Sequence, residues 1–212
     1  MNRYNLALLL SLLVAVWSER DTRAQGATEE LTPESIQEAI RLGSDEKASG
    51  KFLQPYTVQT RTGMGTGPLI GIWSTPFARV VLAASAARKE GRRFAASDVT
   101  PHLLVREFQI LVLPQQAAYA DRASKIQTLV VVRRGGGQET IIQPINIAPA
   151  SKSQMALHGL PEQAAATLAS FPLTAVSEAS VLRVSFSDVV RGSSAMTHCK
   201  DCVVPLSVNA IR

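Results

Sequence analysis

Val105-Arg106-Glu107-Phe108-Gln109-Ile110-Leu111-Val112-Leu113-Pro114 is where the chain changes character. Before it, apolar residues recur at helical spacing; from Arg106 onward the two-residue period of strands takes over. Phe108 to Leu113 is an aliphatic and β-branched run, and Pro114 ends it because proline cannot donate to a sheet ladder. Further on, Ile126–Arg134 and Gln138–Ile147 flank Gly135-Gly136-Gly137, a hairpin signal because glycine takes the positive φ that tight turns need. Thr128, Val130 and Val132 share one side of the first strand, and Ile141, Ile145 and Ile147 share one side of the second. Leu182, Val184 and Phe186 alternate with Arg183, Ser185 and Ser187, as in a half-buried strand. At the C-terminus Val204, Leu206, Val208 and Ala210 alternate again, with Pro205 marking an edge strand. Pro161 to Ser170 reads as a short helix, since Glu162 to Ala169 is rich in Ala and Gln. Five or six strands in about 105 residues, joined by hairpins and loops, predict an antiparallel β-sandwich or partial barrel.

Upstream the signals are helical. Thr32-Pro33-Glu34 offers a capping hydroxyl, a proline at the first helical position and an acid in the first turn. Ile36, Ala39 and Ile40 then share a face, and Gly43 is expected to end the helix. Ser44–Lys51 reads as a polar loop and Phe52–Thr60 as a strand. Thr75-Pro76 opens a second helix, with Phe77, Val80, Val81, Ala84 and Ala87 at helical spacing and Gly91 as its stop. Asp98-Val99-Thr100-Pro101 is a further turn-and-cap signal. The expected fold is therefore α+β, with N-terminal helices packed beside a C-terminal antiparallel β-sandwich or partial barrel. Residues 25–104 form the helical and mixed region and 105–212 the β-rich one, or the two make one continuous domain if Phe52–Thr60 joins the later sheet.

The segment Thr75-Pro76-Phe77-Ala78-Arg79-Val80, followed by Asp98-Val99-Thr100-Pro101 and the strand ending at Pro114, resembles exported bacterial proteins of uncharacterised function. That resemblance covers about a third of the chain, carries no catalytic signature and implies no activity.

Residues 1–24 carry an address. Asn2-Arg3-Tyr4-Asn5 is a positive lead, Leu6 to Trp17 is apolar apart from Ser11, and Thr22-Arg23-Ala24 puts small residues where a signal peptidase reads. The run is too short for a comfortable membrane span, so the mature chain is expected to begin near Gln25, without a transmembrane span, in the periplasm or outside the cell. Removing residues 1–24 takes Arg3, Arg20 and Arg23 against Glu19 and Asp21, which lowers the formal charge from +5 to +4. With 46% hydrophobic and 18% charged residues the chain is globular, and with 5% aromatics its core is filled by aliphatic side chains.

Much of the positive charge lies between Arg79 and Arg93. Arg88, Lys89, Arg92 and Arg93 are candidates for docking on an anionic envelope surface, set against the plainer role of cations that favour a helix C-terminus. Export argues against a nucleic-acid partner; an envelope or extracellular partner is the expectation. No cofactor is implied. Gly63-Met64-Gly65-Thr66-Gly67-Pro68 fails the dinucleotide fingerprint because Ile70 stands where a glycine is needed, and the phosphate-loop Gly-Lys-Ser/Thr ending is missing. Ser74 sits in Ile72-Trp73-Ser74-Thr75-Pro76 rather than a Gly-x-Ser-x-Gly elbow, and there is no His-Glu-x-x-His. Asp98, Glu107, Asp121, Glu139 and Asp188 are the carboxylates from which a pair could be assembled in space, and His102 reads as a helix-start residue.

His198-Cys199-Lys200-Asp201-Cys202 is the sharpest chemical signal. In an oxidising compartment, two cysteines with no others leave a Cys199–Cys202 disulfide as the one intramolecular pairing. Two thiolates two residues apart also suit a soft metal, with a further ligand such as His198, His158 or Met196, or a redox dithiol. A redox dithiol wants a helix after it, whereas Val203-Val204-Pro205 reads as a strand. The leading function is thus an exported, non-catalytic interaction or structural module. The alternatives are an enzyme with an unrecognised hydrolytic site and a soft-metal or redox protein using Cys199 and Cys202.

Overall fold

A computed structural model describes residues 31–59, 69–114, 126–135, 138–161, 165–175, 180–186 and 202–205 of the chain. Helix α1 (Pro33–Ser44) begins where the sequence signals it, with the Thr32 hydroxyl accepting from the Ser35 N–H at 3.3 Å. Gly43 does not end this helix; it is buried inside it. A Cβ at Gly43 would lie 2.4 Å from the Val81 carbonyl oxygen and 2.6 Å from the Ala84 Cβ, so the glycine permits close approach of α1 to the next long helix. The expected loop at 44–51 is also helical. Asp45 caps α2 (Glu46–Leu53), its carboxylate accepting from the Ala48 N–H at 2.8 Å. A 3-10 turn at Gln54–Tyr56 follows, and of the expected Phe52–Thr60 strand the described residues Thr57–Gln59 form β1.

Strand β2 (Leu69–Ser74) leads directly into α3 (Pro76–Lys89). The Thr75 hydroxyl accepts from the Ala78 N–H at 3.2 Å, and Gly91, at φ +72°, turns the chain after the helix. The turn signal at Asp98–Pro101 becomes a 3-10 turn at Ala96–Asp98 and the single-turn helix α4 (Pro101–Leu104). Then come β3 (Glu107–Pro114), β4 (Ile126–Gly135), β5 (Gln138–Ile142), β6 (Asn146–Pro149), α5 (Lys152–Leu157), β7 (Thr167–Pro172), β8 (Ser180–Phe186) and β9 (Cys202–Pro205). Part of the segment expected as a helix at 161–170 is therefore β7. Its residues Thr167–Phe171 are buried on both sides, so no polar alternation marked them as a strand.

The fold is α+β, with helices and two antiparallel sheets. One has five strands in the order β1-β2-β3-β7-β6, the other four in the order β5-β4-β8-β9, and the latter is open among the described residues. The five-stranded sheet takes strands from both sides of residue 105, because Ile72 pairs with Leu111 and Thr57 with Ile72. The chain leaves it after β3 to make the β4–β5 hairpin, returns for β6 and β7, and goes back to the second sheet with β8 and β9. The expected strand Gln138–Ile147 is thus two strands in two sheets. Ile141, Ile145 and Ile147 form no common buried face: Ile141 and Ile145 are 56% and 59% exposed.

Both faces of the five-stranded sheet are covered. On one, Leu111, Leu113 and Leu168 pack with Met155 of α5 and with Ile70 and Ile72. On the other, Trp73 stacks on Phe108 at 6.5 Å, with Ile110, Val112, Ala169 and Phe171 also buried. A helical core of Ala39, Ile40, Val80, Val81 and Leu103 lies alongside, with Leu157 of α5 packed against it.

Candidate functional site

Antiparallel register places residues paired across strands on the same face. Ser74 pairs with Gln109, Gln109 with Ser170, and Ser170 with Asn146, so four polar residues cross β2, β3, β7 and β6 in one row. Ile72, Leu111 and Leu168 form the adjacent apolar row on that face. Asn146 is exposed at the end of this row, while Ser74, Gln109 and Ser170 are buried. The Ser74 Oγ is enclosed and has no hydrogen-bond partner among the described residues.

Arg79 lies one turn into α3, and its side chain is 0% exposed. Its Nε donates to the Leu103 carbonyl and its Nη1 to the Glu107 carbonyl, both at 3.0 Å, while Nη2 donates to the Val105 carbonyl. The planar guanidinium thus fastens three alternate carbonyls of the link between α4 and β3 to α3, which a lysine ammonium could not do in one geometry. Burial pulls the Arg79 pKa down to about 10, partly opposed by the Glu107 carboxylate, so the group remains a cation at neutral pH.

His158 caps the C-terminal end of α5, its N–H donating to the Met155 carbonyl at 3.1 Å. The Nδ1 of its ring is enclosed and without a partner. Burial, and secondarily the nearby Arg79 cation, pushes its pKa down to about 4, so the ring is neutral at pH 7. Gln109 Nε2 approaches Glu107 Oε2 at 3.5 Å, which ties the polar row to the Arg79 end of β3.

This cluster braces the fold before it offers chemistry. Ser74 ends a strand that runs into a helix, the general setting of a nucleophile elbow, but an elbow serine sits in a strained backbone turn with its hydroxyl exposed. Here positive φ is confined, among the described residues, to Gly91 and Gly159, and Ser74 is 1% exposed. Arg79 spends its donors on backbone carbonyls. His158 can take a proton only in acid.

The basic end of α3 is partly neutralised. Arg88 Nη1 approaches Glu46 Oε2 at 3.5 Å and Arg92 Nη2 approaches Glu90 Oε2 at 2.7 Å. Lys89 and Arg93 are exposed beside them and form no ion pair among the described residues. Of the residues in the disulfide expectation, Cys199, with His198, Asp201 and Met196, lies outside the described residues, while Cys202 begins β9 and pairs with Val184. Asp121 and Asp188 also lie outside; Asp98 caps the 3-10 turn through the Ala95 N–H at 2.8 Å, and His102 is exposed.

No sequence reading placed Arg79 or the His158 ring nitrogen in the interior. Arg79 had a signal, an arginine between Ala78 and Val80-Val81 on a helix whose other cations come in its last turn. His158 had none, because its burial depends on where α5 lands. Among the described residues no helix is long and apolar enough to cross a membrane, and no three His, Cys, Asp or Glu side chains gather as a metal site. Comparison with protein-family models, curated proteins and solved structures gives no match.

Proposed function

We propose that the protein is an exported, non-catalytic interaction or structural module of the cell envelope or extracellular space. The observation that supports this is the ribbon from Gln138 to Pro149. It supplies one outer strand of each sheet among the described residues and carries two isoleucines more than half exposed, Ile141 and Ile145. Exposed aliphatic side chains on a sheet margin suit contact with another protein better than contact with water. The buried Arg79 is meanwhile committed to holding α3 to the head of β3. Capture from envelope extract with the mature chain tests it: the I141E/I145E double variant is expected to lose partners that the parent retains. Turnover in a hydrolase screen that disappears in S74A would replace this reading with the enzymatic one.

Further proposals belong to the same module. The two sheets stack as a sandwich: Phe108, Ile110 and Phe171 are sealed on the face away from Met155, and Val130 of the second sheet is buried as well. Proton–proton contacts between Val130 and Ile110 or Val112 are the expected signature; contacts of Val130 with α5 alone would exclude it. Cys199 and Cys202 are joined in a disulfide, making the intact chain lighter by two hydrogens and resistant to alkylation; stoichiometric zinc or copper bound through the two sulfurs would contradict this. Lys89 and Arg93, with Arg88 and Arg92, meet an anionic envelope surface. Their binding to acidic vesicles should weaken steeply with salt, since exposed charges are screened beyond about 10 Å at 0.1 M. Retention unchanged by charge reversal at these four positions would reduce them to a solvated helix end.

A further inference from the structure

Helix α5 is a short element held at two points. Ser151 and Gln154 form a reciprocal capping box, the Ser151 N–H donating to Gln154 Oε1 at 2.8 Å and the Gln154 N–H to Ser151 Oγ at 3.3 Å. Met155 is buried against Leu111, Leu113, Ala166 and Leu168 on the face of the five-stranded sheet, while Leu157 packs on the helical core. Six residues are far too few for a helix to persist unless packing holds them. At its C-terminal end stands His158, with Nδ1 enclosed, no acceptor for a proton placed there, and the buried Arg79 cation nearby.

We infer that His158 is an acid-operated latch: protonating its ring releases α5 from the five-stranded sheet and uncovers the apolar face around Met155, Leu111 and Leu113, while the strands stay paired. The charges around the ring explain the direction. From α3 comes Arg79, whose donors are occupied by the carbonyls of Leu103, Val105 and Glu107 and cannot turn away. From β3 comes the Glu107 carboxylate, which acts on Arg79. On α5 itself the one other titratable group is Lys152, at the exposed far end, and on α4 His102 is exposed. The C-terminal carbonyls of α5 favour a cation, but they cannot offset an enclosed nitrogen without an acceptor facing a fixed positive charge. The ring's depressed pKa, about 4, agrees with this geometry. Because the closed state binds the proton more weakly than the open one, closure is complete above about pH 6.5 and weakens down to about pH 4.

Amide exchange on the full mature chain, read by NMR between pH 7 and 4 and corrected for intrinsic rates, tests the latch. The amides of Met155 and His158 should lose protection as pH falls, approaching tenfold per pH unit for one proton, while those of Phe108–Leu113 keep theirs. In His158→Gln, which cannot take the proton, α5 should stay protected across the same range, and His102→Gln should behave as the parent. Titration of the His158 ring near pH 6.5, simultaneous loss in α5 and β3, or an unchanged transition in His158→Gln would each overturn the inference. If His158→Gln does not fold, the ring titration and the α5-to-β3 comparison in the unmodified protein decide it.

Discussion

The two sheets are built from the same kind of strand but depend on the chain in different ways. In the four-stranded sheet, β4 and β5 are neighbours in sequence and pair from Gly135–Gln138 back to Val131–Ile142, so turn chemistry sets their register. In the five-stranded sheet, β3 lies between β2 and β7, and Glu107 pairs with Pro172. No local signal sets that register; burial on both faces does, since a one-residue slip would exchange the Trp73–Phe108 face for the Met155 face. Ile141, in the local β4–β5 pair, is exposed, whereas Phe108 to Leu113 of β3, paired at long range with β7, are sealed. The lesson is that stability in this protein should be concentrated where contacts are distant in the chain.

Substitutions can break or sharpen that contrast. Phe108→Ala removes a fully buried ring stacked on Trp73 and should cost about 3–5 kcal/mol in denaturant unfolding. Arg79→Met should cost about 2–4 kcal/mol, because the buried Leu103 carbonyl and the part-buried Val105 and Glu107 carbonyls lose their donor; Arg79→Lys should fall between it and the parent. If either were tolerated as easily as a change at Ile141, the five-stranded sheet would not be the stable centre. The pH dependence comes next. His158 is neutral when buried and has a pKa of about 4 against an ordinary 6.5, so its contribution to stability is full above pH 6.5 and is lost as pH falls towards 4. The loss is on the order of 3 kcal/mol, at 1.36 kcal/mol per unit, and should be absent from the denaturation profile of a folded His158→Gln variant. Gly43→Ala should cost about 1–3 kcal/mol, since the added methyl meets the Val81 carbonyl and Ala84 and the α1–α3 contact must open. Ile141→Thr should shift stability by no more than about 0.5 kcal/mol while weakening partner capture. A larger loss would show that the outer strand of the four-stranded sheet is structurally essential.

Part of the interior cluster could be read from the chain. Ser74 and Glu107 were visible as isolated candidates, but the in-register row of Ser74, Gln109, Ser170 and Asn146 exists only once β2, β3, β7 and β6 are adjacent. The start of α5 was also legible: Ser151-Lys152-Ser153-Gln154 has the capping-box spacing that its hydrogen bonds fulfil. The apolar stretch after it is only one turn long, too short for helical periodicity to show. Likewise Asp45 followed by Ala48 marks the start of α2, yet the polar composition of residues 44–51 suggested a loop.

By itself the sequence determined the features governed by neighbours a few residues apart. These are the starts of α1 and α3 at Thr32-Pro33 and Thr75-Pro76, the end of α3 near Gly91, the strand from Phe108 to Leu113 and the hairpin around Gly135 to Gln138. Caps, fixed proline φ and glycine turns act within one turn of chain, so one sequence displays them. Only the tertiary structure decided that Thr167–Pro172 is a strand, that β5 and β6 belong to different sheets, that Gly43 is a helix contact, and that Arg79 is buried. Each depends on a surface brought from dozens of residues away, where the gain from burying both partners outweighs local preference.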